Sequence, residues 1–173
     1  MARSKDYQAK RVYAWEKEVW ELINCSTTLH STPYMTSLMD EIKELYEEAG
    51  ILMTAVDFSI GDPKEMDKLN AVGLAHGTYL IEIRPDGMFD QVMIHEMSHI
   101  ILNNIAPRNR VGLEAWTDHG SIFVGINMCL LKWRYELDST SLALMEELAE
   151  DYAVDYRPWY QCTPRGLRRK QNA

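Results

Sequence analysis

The sequence lacks any apolar run that could cross a bilayer, and it lacks the apolar core of a secretory signal. A membrane-spanning helix needs about 20 consecutive apolar residues, and no stretch of this chain approaches that length. Residues Arg11 to Glu21, where a signal peptide would be apolar, form an amphipathic charged segment. We therefore expect a soluble protein with no membrane partner.

Cysteine is also scarce. The chain has three cysteines, Cys25, Cys129 and Cys162, and their odd number and wide spacing fit neither a disulfide framework nor a paired-cysteine zinc ribbon. A reducing cytoplasm is therefore the expected location.

Positive charge is sparse except near the C-terminus. With 26 acidic and 18 basic residues the formal net charge is -8, which opposes binding to a phosphate backbone over most of the surface. Four basic residues follow Pro164, namely Arg165, Arg168, Arg169 and Lys170. We interpret residues from about 157 to 173 as a flexible basic tail, with binding of nucleic acid through this tail as the alternative.

Length and composition predict one domain. A chain of 173 residues with 46% hydrophobic content can close a single core. It shows no internal repeat, low-complexity segment or linker. We therefore expect residues 1–173 to form one domain.

Apolar residues at three- and four-residue steps predict five helices. The predicted ranges are Tyr7 to Ile23, about Tyr34 to Ala49, Met88 to about Asn104, about Asp118 to Tyr135 and Ser141 to Tyr156. The residues predicted to face the core are Val12, Trp15, Val19, Leu22 and Ile23 on the first helix, Leu38, Ile42, Leu45 and Tyr46 on the second, and Phe89, Met93, Met97, Ile100 and Ile101 on the third. The stretch Ala106 to Thr117 has mixed polarity and is predicted to be a loop.

Between the second and third predicted helices the pattern becomes that of strands. Ile51 to Ile60 is apolar and rich in β-branched residues, and Gly61-Asp62-Pro63 is predicted to end it as a turn. Ala71 to Ala75 and Thr78 to Arg84 are predicted to form a hairpin through His76-Gly77. The predicted fold class is thus α+β, with a small, mainly antiparallel sheet packed against helices.

A His-Glu-x-x-His motif lies on the third predicted helix, as His95-Glu96-Met97-Ser98-His99. Residues four apart on a helix face the same way, so the two imidazoles can bind one metal ion. Glu96 lies one residue further round, where a carboxylate can take a proton from a zinc-bound water without binding the zinc itself. The motif predicts one zinc ion per chain, with Glu96 as the catalytic residue.

A catalytic zinc site has three protein ligands and one open position, so a third ligand is needed. His119 is the only histidine after the motif, and it lies at the start of the predicted helix that begins at Asp118. We favour His119 as this ligand. The alternatives are the carboxylates of Glu114, Glu146 and Glu147.

Other polar residues have simpler interpretations. Asp118 is predicted to cap the following helix, with a hydrogen bond to a ligand imidazole as its alternative role. His30 and His76 are predicted to be exposed turn residues. Tyr79 is a candidate donor to an oxyanion.

Two parts of the sequence resemble known metallopeptidases. The His-Glu-x-x-His motif followed by His119-Gly120-Ser121-Ile122-Phe123 resembles the SprT-like group of zincin metallopeptidases. A family of small metallohydrolases from actinobacteria and their phages is more closely similar. It shares the continuation Val124-Gly125 and an N-terminal segment that here reads Lys5-Asp6-Tyr7-Gln8-Ala9-Lys10-Arg11-Val12-Tyr13-Ala14-Trp15-Glu16.

This resemblance implies a compact zincin-like domain in which His95, His99 and His119 bind zinc and Glu96 is catalytic. It also implies a location in the host cytoplasm if a phage encodes the chain. The interval between His99 and His119 is longer than the family pattern, which predicts an insertion within Ile100 to Asp118 beside the site.

Motif and resemblance together predict a zinc-dependent hydrolase, a metallopeptidase that acts on a peptide or protein substrate. An extended peptide is expected to add to the sheet edge near Thr78 to Arg84. The alternative is a catalytically silent module that zinc stabilises and that binds a protein partner or nucleic acid.

Overall fold

The computed structural model describes residues 6, 8–25, 27–53, 55–106 and 114–171, with side chains omitted for 114 and 168–171. These residues contain seven α-helices and one three-stranded sheet, in agreement with the predicted α+β class. They divide into two compact units. We call Ser26–Asn104 the sheet unit, and Met1–Cys25 together with Ile105–Ala173 the helical unit. The prediction of one domain stays a prediction.

The helical unit contains α1 (Ala9–Leu22), α5 (Ser121–Tyr135), α6 (Ser139–Asp151) and α7 (Pro164–Gln171). Helix α1 buries Val12, Trp15 and Val19 as its periodicity predicts, although Leu22 at its end is exposed. The Trp15 indole donates a hydrogen bond to the carbonyl of Met145 in α6 at 3.1 Å. The first half of α5 is buried on all sides, so this apolar helix lies at the centre of the unit.

The C-terminal segment packs against this unit as far as the structure describes its side chains. A short 3-10 helix spans Trp159–Gln161, and both Cys162 and Leu167 are buried. The backbone N–H of Arg157 donates to the carbonyl of Ser121 at 2.8 Å. The region assigned to a flexible tail therefore contains ordered, packed residues. The side chains of residues 168–170 lie outside the described set.

The predicted loop Ala106 to Thr117 is described only at its ends. Residues 107–113 lie outside the described part of the chain, and a 3-10 helix spans Glu114–Trp116. The predicted insertion in this interval stays a prediction.

The sheet unit begins with α2 (Thr32–Glu48), whose first turn carries Pro33 and whose N-cap is Ser31. Its buried face includes Leu38, Ile42 and Tyr46, as predicted, whereas Leu45, which is predicted to face inward with them, is half-buried. Strands β1 (Asp57–Ile60), β2 (Gly73–His76) and β3 (Leu80–Ile83) follow, with the short helix α3 (Pro63–Leu69) between β1 and β2.

The sheet has the strand order β1-β3-β2, with β1 parallel and β2 antiparallel to β3. The hairpin of β2 and β3 is confirmed. The sheet as a whole is mixed rather than mainly antiparallel, because α3 carries the chain across so that β1 can pair with β3 in the parallel sense. The predicted turn at Gly61-Asp62-Pro63 is in fact the start of α3, where Asp62 accepts a hydrogen bond from the N–H of Lys64 at 2.9 Å.

Helix α4 (Asp90–Ile105) carries the His-Glu-x-x-His motif. Four of the five apolar residues predicted to face the core, Met93, Met97, Ile100 and Ile101, are buried, and Ile94 joins them. The fifth, Phe89, precedes the helix and is half-buried. Asp90 lies in the first turn, where a negative charge is favoured by the helix dipole. Its carboxylate contacts His30 at 3.0 Å and accepts a hydrogen bond from the Tyr34 hydroxyl at 3.2 Å. This end of α4 is thus fixed to the segment around α2. None of the described helices combines the length and apolar character needed to cross a membrane.

Candidate metal centre

His95 and His99 lie one turn apart on α4 and bring their ring nitrogens together. Their Nε2 atoms are 3.2 Å apart, and the ring planes are inclined at 74°. Zinc binds imidazole at about 2.0–2.1 Å, so two nitrogens on a tetrahedral zinc are about 3.3 Å apart. The observed distance therefore suits a shared metal ion as well as a hydrogen bond between the rings. His95 is buried and His99 is half-buried.

Glu96 lies between the two histidines in sequence and is buried, with 5% of its surface exposed. Its carboxylate packs against the backbone of Gly73, the first residue of β2. A β carbon at position 73 would lie 2.6 Å from Oε1 and 3.0 Å from Cδ of Glu96, closer than van der Waals contact. The glycine thus creates the space that the Glu96 side chain occupies.

His119 lies just before α5 rather than on it. The helix begins at Ser121 and its N-cap is Gly120, so the predicted helix start at Asp118 is three residues early. Asp118 is exposed and is not the cap. Gly120 at the N-cap has extended backbone, and His119 before it lies in a turn that the hydrogen bond from the N–H of Gly120 to the carbonyl of Thr117 closes at 2.9 Å.

Four residues of the helical unit surround His119. Asp6 pairs with ring nitrogen Nδ1 through its Oδ2 atom. The Gln8 amide donates to the backbone carbonyl of His119 at 2.6 Å. The rings of Tyr13 and Phe123 make edge contacts with the imidazole, with centroids 4.9 and 5.0 Å away. A neutral imidazole that donates from Nδ1 carries its lone pair on Nε2, the form that binds a metal through Nε2.

The three histidines form a group that can hold a metal ion. His95, His99 and His119 each offer one ring nitrogen, and these nitrogens all lie within 4.8 Å of one another. Three neutral imidazoles are a donor set that zinc takes in catalytic sites, where a fourth position stays open. The donor chemistry therefore fits zinc.

Two of the three alternative third ligands, Glu146 and Glu147, can be compared with this group. On α6, Glu146 is half-buried and Glu147 is exposed, and neither belongs to the histidine group among the residues searched. The side chain of Glu114 lies outside the described residues.

The other histidines have partners of their own. His30 stacks on Tyr34 with ring centroids 3.9 Å apart and pairs with Asp90. His76 contacts the Glu82 carboxylate at 2.7 Å across the hairpin. Both are half-buried rather than exposed as predicted. Tyr79 is exposed in the turn between β2 and β3, and its role as an oxyanion donor stays a prediction.

Sequence reasoning assigned no role to three residues that the structure brings to these side chains, namely Asp6, Gln8 and Gly73. Asp6 and Gln8 are 113 and 111 positions from His119, so no local pattern connects them. Their presence in the N-terminal segment that carries the resemblance was the one available signal. Gly73 offered a weaker signal, since a glycine inside a strand indicates a close approach of another group.

Comparison with known proteins yields no relative for this chain. No protein-family model, curated protein or solved structure matches it, so the zincin resemblance stays a prediction drawn from its motifs.

Proposed function

We propose that this protein is a zinc-dependent hydrolase that cleaves peptide bonds, with Glu96 as its general base. The observation that carries the proposal is the placement of Glu96. Its carboxylate is buried, follows His95 directly, and occupies a space that Gly73 leaves for it. A zinc site that served stability alone would need no buried carboxylate beside two of its ligands.

His95, His99 and His119 would hold the metal. All three donors are neutral, so a bound zinc keeps its full positive charge. When bound, zinc lowers the pKa of a coordinated water towards 7 and polarises the carbonyl of the substrate. The three-histidine set also leaves one position for that water.

Glu96 moves the proton in this reaction. A carboxylate oxygen of Glu96 accepts a proton from the attacking water and then delivers it to the leaving amine of the cleaved bond. Its burial excludes bulk water from the carboxylate, which strengthens its interactions with nearby charge. Because Gly73 and α4 restrict the side chain, the carboxylate is already oriented before substrate binds.

The substrate is proposed to bind along β2 rather than β3. The edge expected at Thr78 to Arg84 is wrong, because β3 is paired on both sides, with β1 and with β2. Within the described residues, β2 pairs only with β3 and keeps one side for a further strand. This strand begins at Gly73, beside Glu96, so a peptide that extends the sheet there would pass close to the general base.

The test compares wild-type protein with Glu96→Gln on a mixed peptide library in the presence of zinc. Glutamine has nearly the same shape but cannot accept the proton, so we expect zinc binding to persist while the cleavage rate falls by about 10²–10⁴-fold. Glu82→Gln is a matched control on β3, and it should retain cleavage. A Glu96→Gln variant as active as wild type, or a wild type that cleaves no peptide, contradicts the proposal.

A further inference from the structure

We propose that Asp6 and Gln8 are positioning residues for His119, with Gln8 fixing its backbone and Asp6 fixing its ring. The inference rests on the proposed function only in taking His119 as a metal ligand. Both residues precede α1, far from His119 in sequence, and neither belongs to the histidine group itself.

Gln8 anchors the backbone on which His119 stands. Its side chain is buried with 1% exposed. The amide nitrogen donates to the carbonyls of His119 at 2.6 Å and Asp155 at 2.9 Å, and the amide oxygen accepts from the N–H of Asp155 at 2.8 Å. Because oxygen and nitrogen each meet a complementary backbone group, only one orientation of the amide satisfies all three bonds. The segment before α5 is therefore tied to the segment after α6 through one side chain.

The backbone of Gln8 also links α1 to the segments that its side chain holds together. Its carbonyl accepts hydrogen bonds from the N–H groups of Arg11 and Val12, at 2.9 and 3.0 Å. Gln8 thus sets the first turn of α1 and the position of His119 together. A residue that only set the first turn of α1 through its backbone carbonyl would not need to bury a side-chain amide.

Asp6 selects the orientation of the imidazole. A half-turn of the His119 ring about its Cβ–Cγ bond exchanges the positions of its nitrogen and carbon atoms. The edge contacts with Tyr13 and Phe123 allow either orientation, because aromatic contacts distinguish little between the two edges of an imidazole. The Asp6 carboxylate distinguishes them, because it can pair with Nδ1–H but not with Cδ2–H. Its contact therefore directs Nε2 to the opposite side of the ring.

Burial strengthens the preference of the His119 ring for this orientation. The side chain of His119 is 7% exposed and that of Asp6 is 25% exposed, so water competes weakly for the ring nitrogen. Carboxylates that hydrogen-bond a ligand histidine in this way fix its tautomer and raise its basicity, and losing one typically weakens metal affinity by about 10–100-fold. Asp6 has the chemistry and the contact for that role.

Asp118 provides a matched comparison. It is also a carboxylate, it is adjacent to His119 in sequence, and it is exposed. The hydrogen bond to imidazole considered for Asp118 is made by Asp6 instead. If proximity in sequence or general negative charge mattered, both aspartates would influence the site equally.

The experiment measures zinc affinity by competition with a chelator for the wild type, Asp6→Ala, Asp6→Asn and Asp118→Ala. We expect a loss of about 10–100-fold for Asp6→Ala, a smaller loss for Asp6→Asn because its amide oxygen still accepts from Nδ1–H, and no change for Asp118→Ala. Gln8→Ala should also weaken binding, with a lower melting temperature because two carbonyls and one N–H lose their partner.

A second readout separates positioning from general stability. The d–d absorption of bound Co²⁺ reports ligand geometry, so it should change in Asp6→Ala even when the metal-free melting temperature matches the wild type. If Asp6→Ala does not fold, the isosteric Asp6→Asn is measured in the same way. Unchanged zinc affinity together with an unchanged cobalt spectrum in the folded Asp6 variants overturns the inference.

Binding rather than hydrolysis is measured, so failure of the two proposals can be told apart. A wild type that binds zinc without cleaving peptides would contradict the proposed hydrolase and leave the test of Asp6 intact. A wild type that binds no zinc would overturn both.

Discussion

The backbone of Gly73 lies directly against the carboxylate of Glu96, so that a β carbon at position 73 would come within 2.6 Å of Oε1 and 2.9 Å of Cγ. Gly73 belongs to the strand at one edge of the sheet, opposite the buried Ile83 in register. The strand thus determines where the Glu96 side chain can lie. This contact connects the sheet to the residue that we propose as the general base.

Gly73→Ala should displace Glu96 and lower kcat while zinc affinity stays within a factor of a few. The added methyl group cannot be accommodated without a shift of the carboxylate, and a displacement of about 1 Å can cost about 10²-fold in rate. Peptide cleavage and chelator competition on the same preparation measure the two effects.

Leu74→Ala serves as the control for Gly73→Ala, because the side chain of the next strand residue points to the other face of the sheet. It should leave kcat near the wild-type value. Equal cleavage by Gly73→Ala and the wild type would show that the position of Glu96 does not govern the rate.

His119→Ala should weaken zinc binding by more than about 100-fold, beyond the loss expected for an outer hydrogen-bonding partner. The remaining pair, His95 and His99, offers two ring nitrogens only. Chelator competition should be run beside Glu114→Ala and Glu147→Ala, which we expect to bind zinc like the wild type. Loss of zinc from either glutamate variant, with retention by His119→Ala, would indicate a site with two histidines and one carboxylate.

Zinc should raise the melting temperature of the protein, because a ligand that binds only the folded state stabilises it. At a free zinc concentration about 100 times Kd the gain is about 2.7 kcal/mol, which corresponds to about 5–11 °C for a chain of this size. Differential scanning fluorimetry with and without a chelator measures the shift. His95→Ala should abolish it, whereas His76→Ala, on β2, should keep it. A zinc shift that persists in His95→Ala would argue against the proposed ligands.

Gly125→Ala should destabilise the helical unit by about 1–3 kcal/mol through overpacking. A β carbon there would lie 2.5 Å from the Cys162 sulfur and would also overlap the carbonyl oxygen of Arg157. Urea unfolding monitored by fluorescence measures the change. The prediction tests whether the segment from Arg157 to Cys162 packs on α5, and a variant as stable as the wild type would indicate that it does not.

The sequence was sufficient to predict the helices with strong periodicity. The buried faces of α1 and α2 were predicted from residues such as Trp15 and Ile42, because amphipathic spacing follows directly from helix geometry. Their ends were predictable where proline or glycine marks them, as Pro33 does for α2.

Short elements and strand pairing were harder to predict. Helix α3 has seven residues, too few for a periodic signal, although Asp62-Pro63 is a helix-start pattern as well as a turn pattern. The parallel pairing of β1 with β3 depends on where α3 takes the chain, and this is decided by tertiary packing. Local sequence does not carry that information.

The candidate site likewise contains residues that the sequence predicts and contacts that it does not. His95, Glu96 and His99 follow from one helical motif, and His119 follows from the need for a third donor. The contacts of Asp6 with His119 and of Gly73 with Glu96 join residues distant in sequence. Only the folded chain brings these pairs together.

A crystal structure of the zinc-loaded protein tests the central claim most directly. We predict one zinc per chain, bonded to ring nitrogens of His95, His99 and His119 at about 2.0–2.1 Å, with a water in the fourth position beside Glu96. A fourth protein ligand in place of that water, or a zinc that leaves His119 uncoordinated, would contradict the claim.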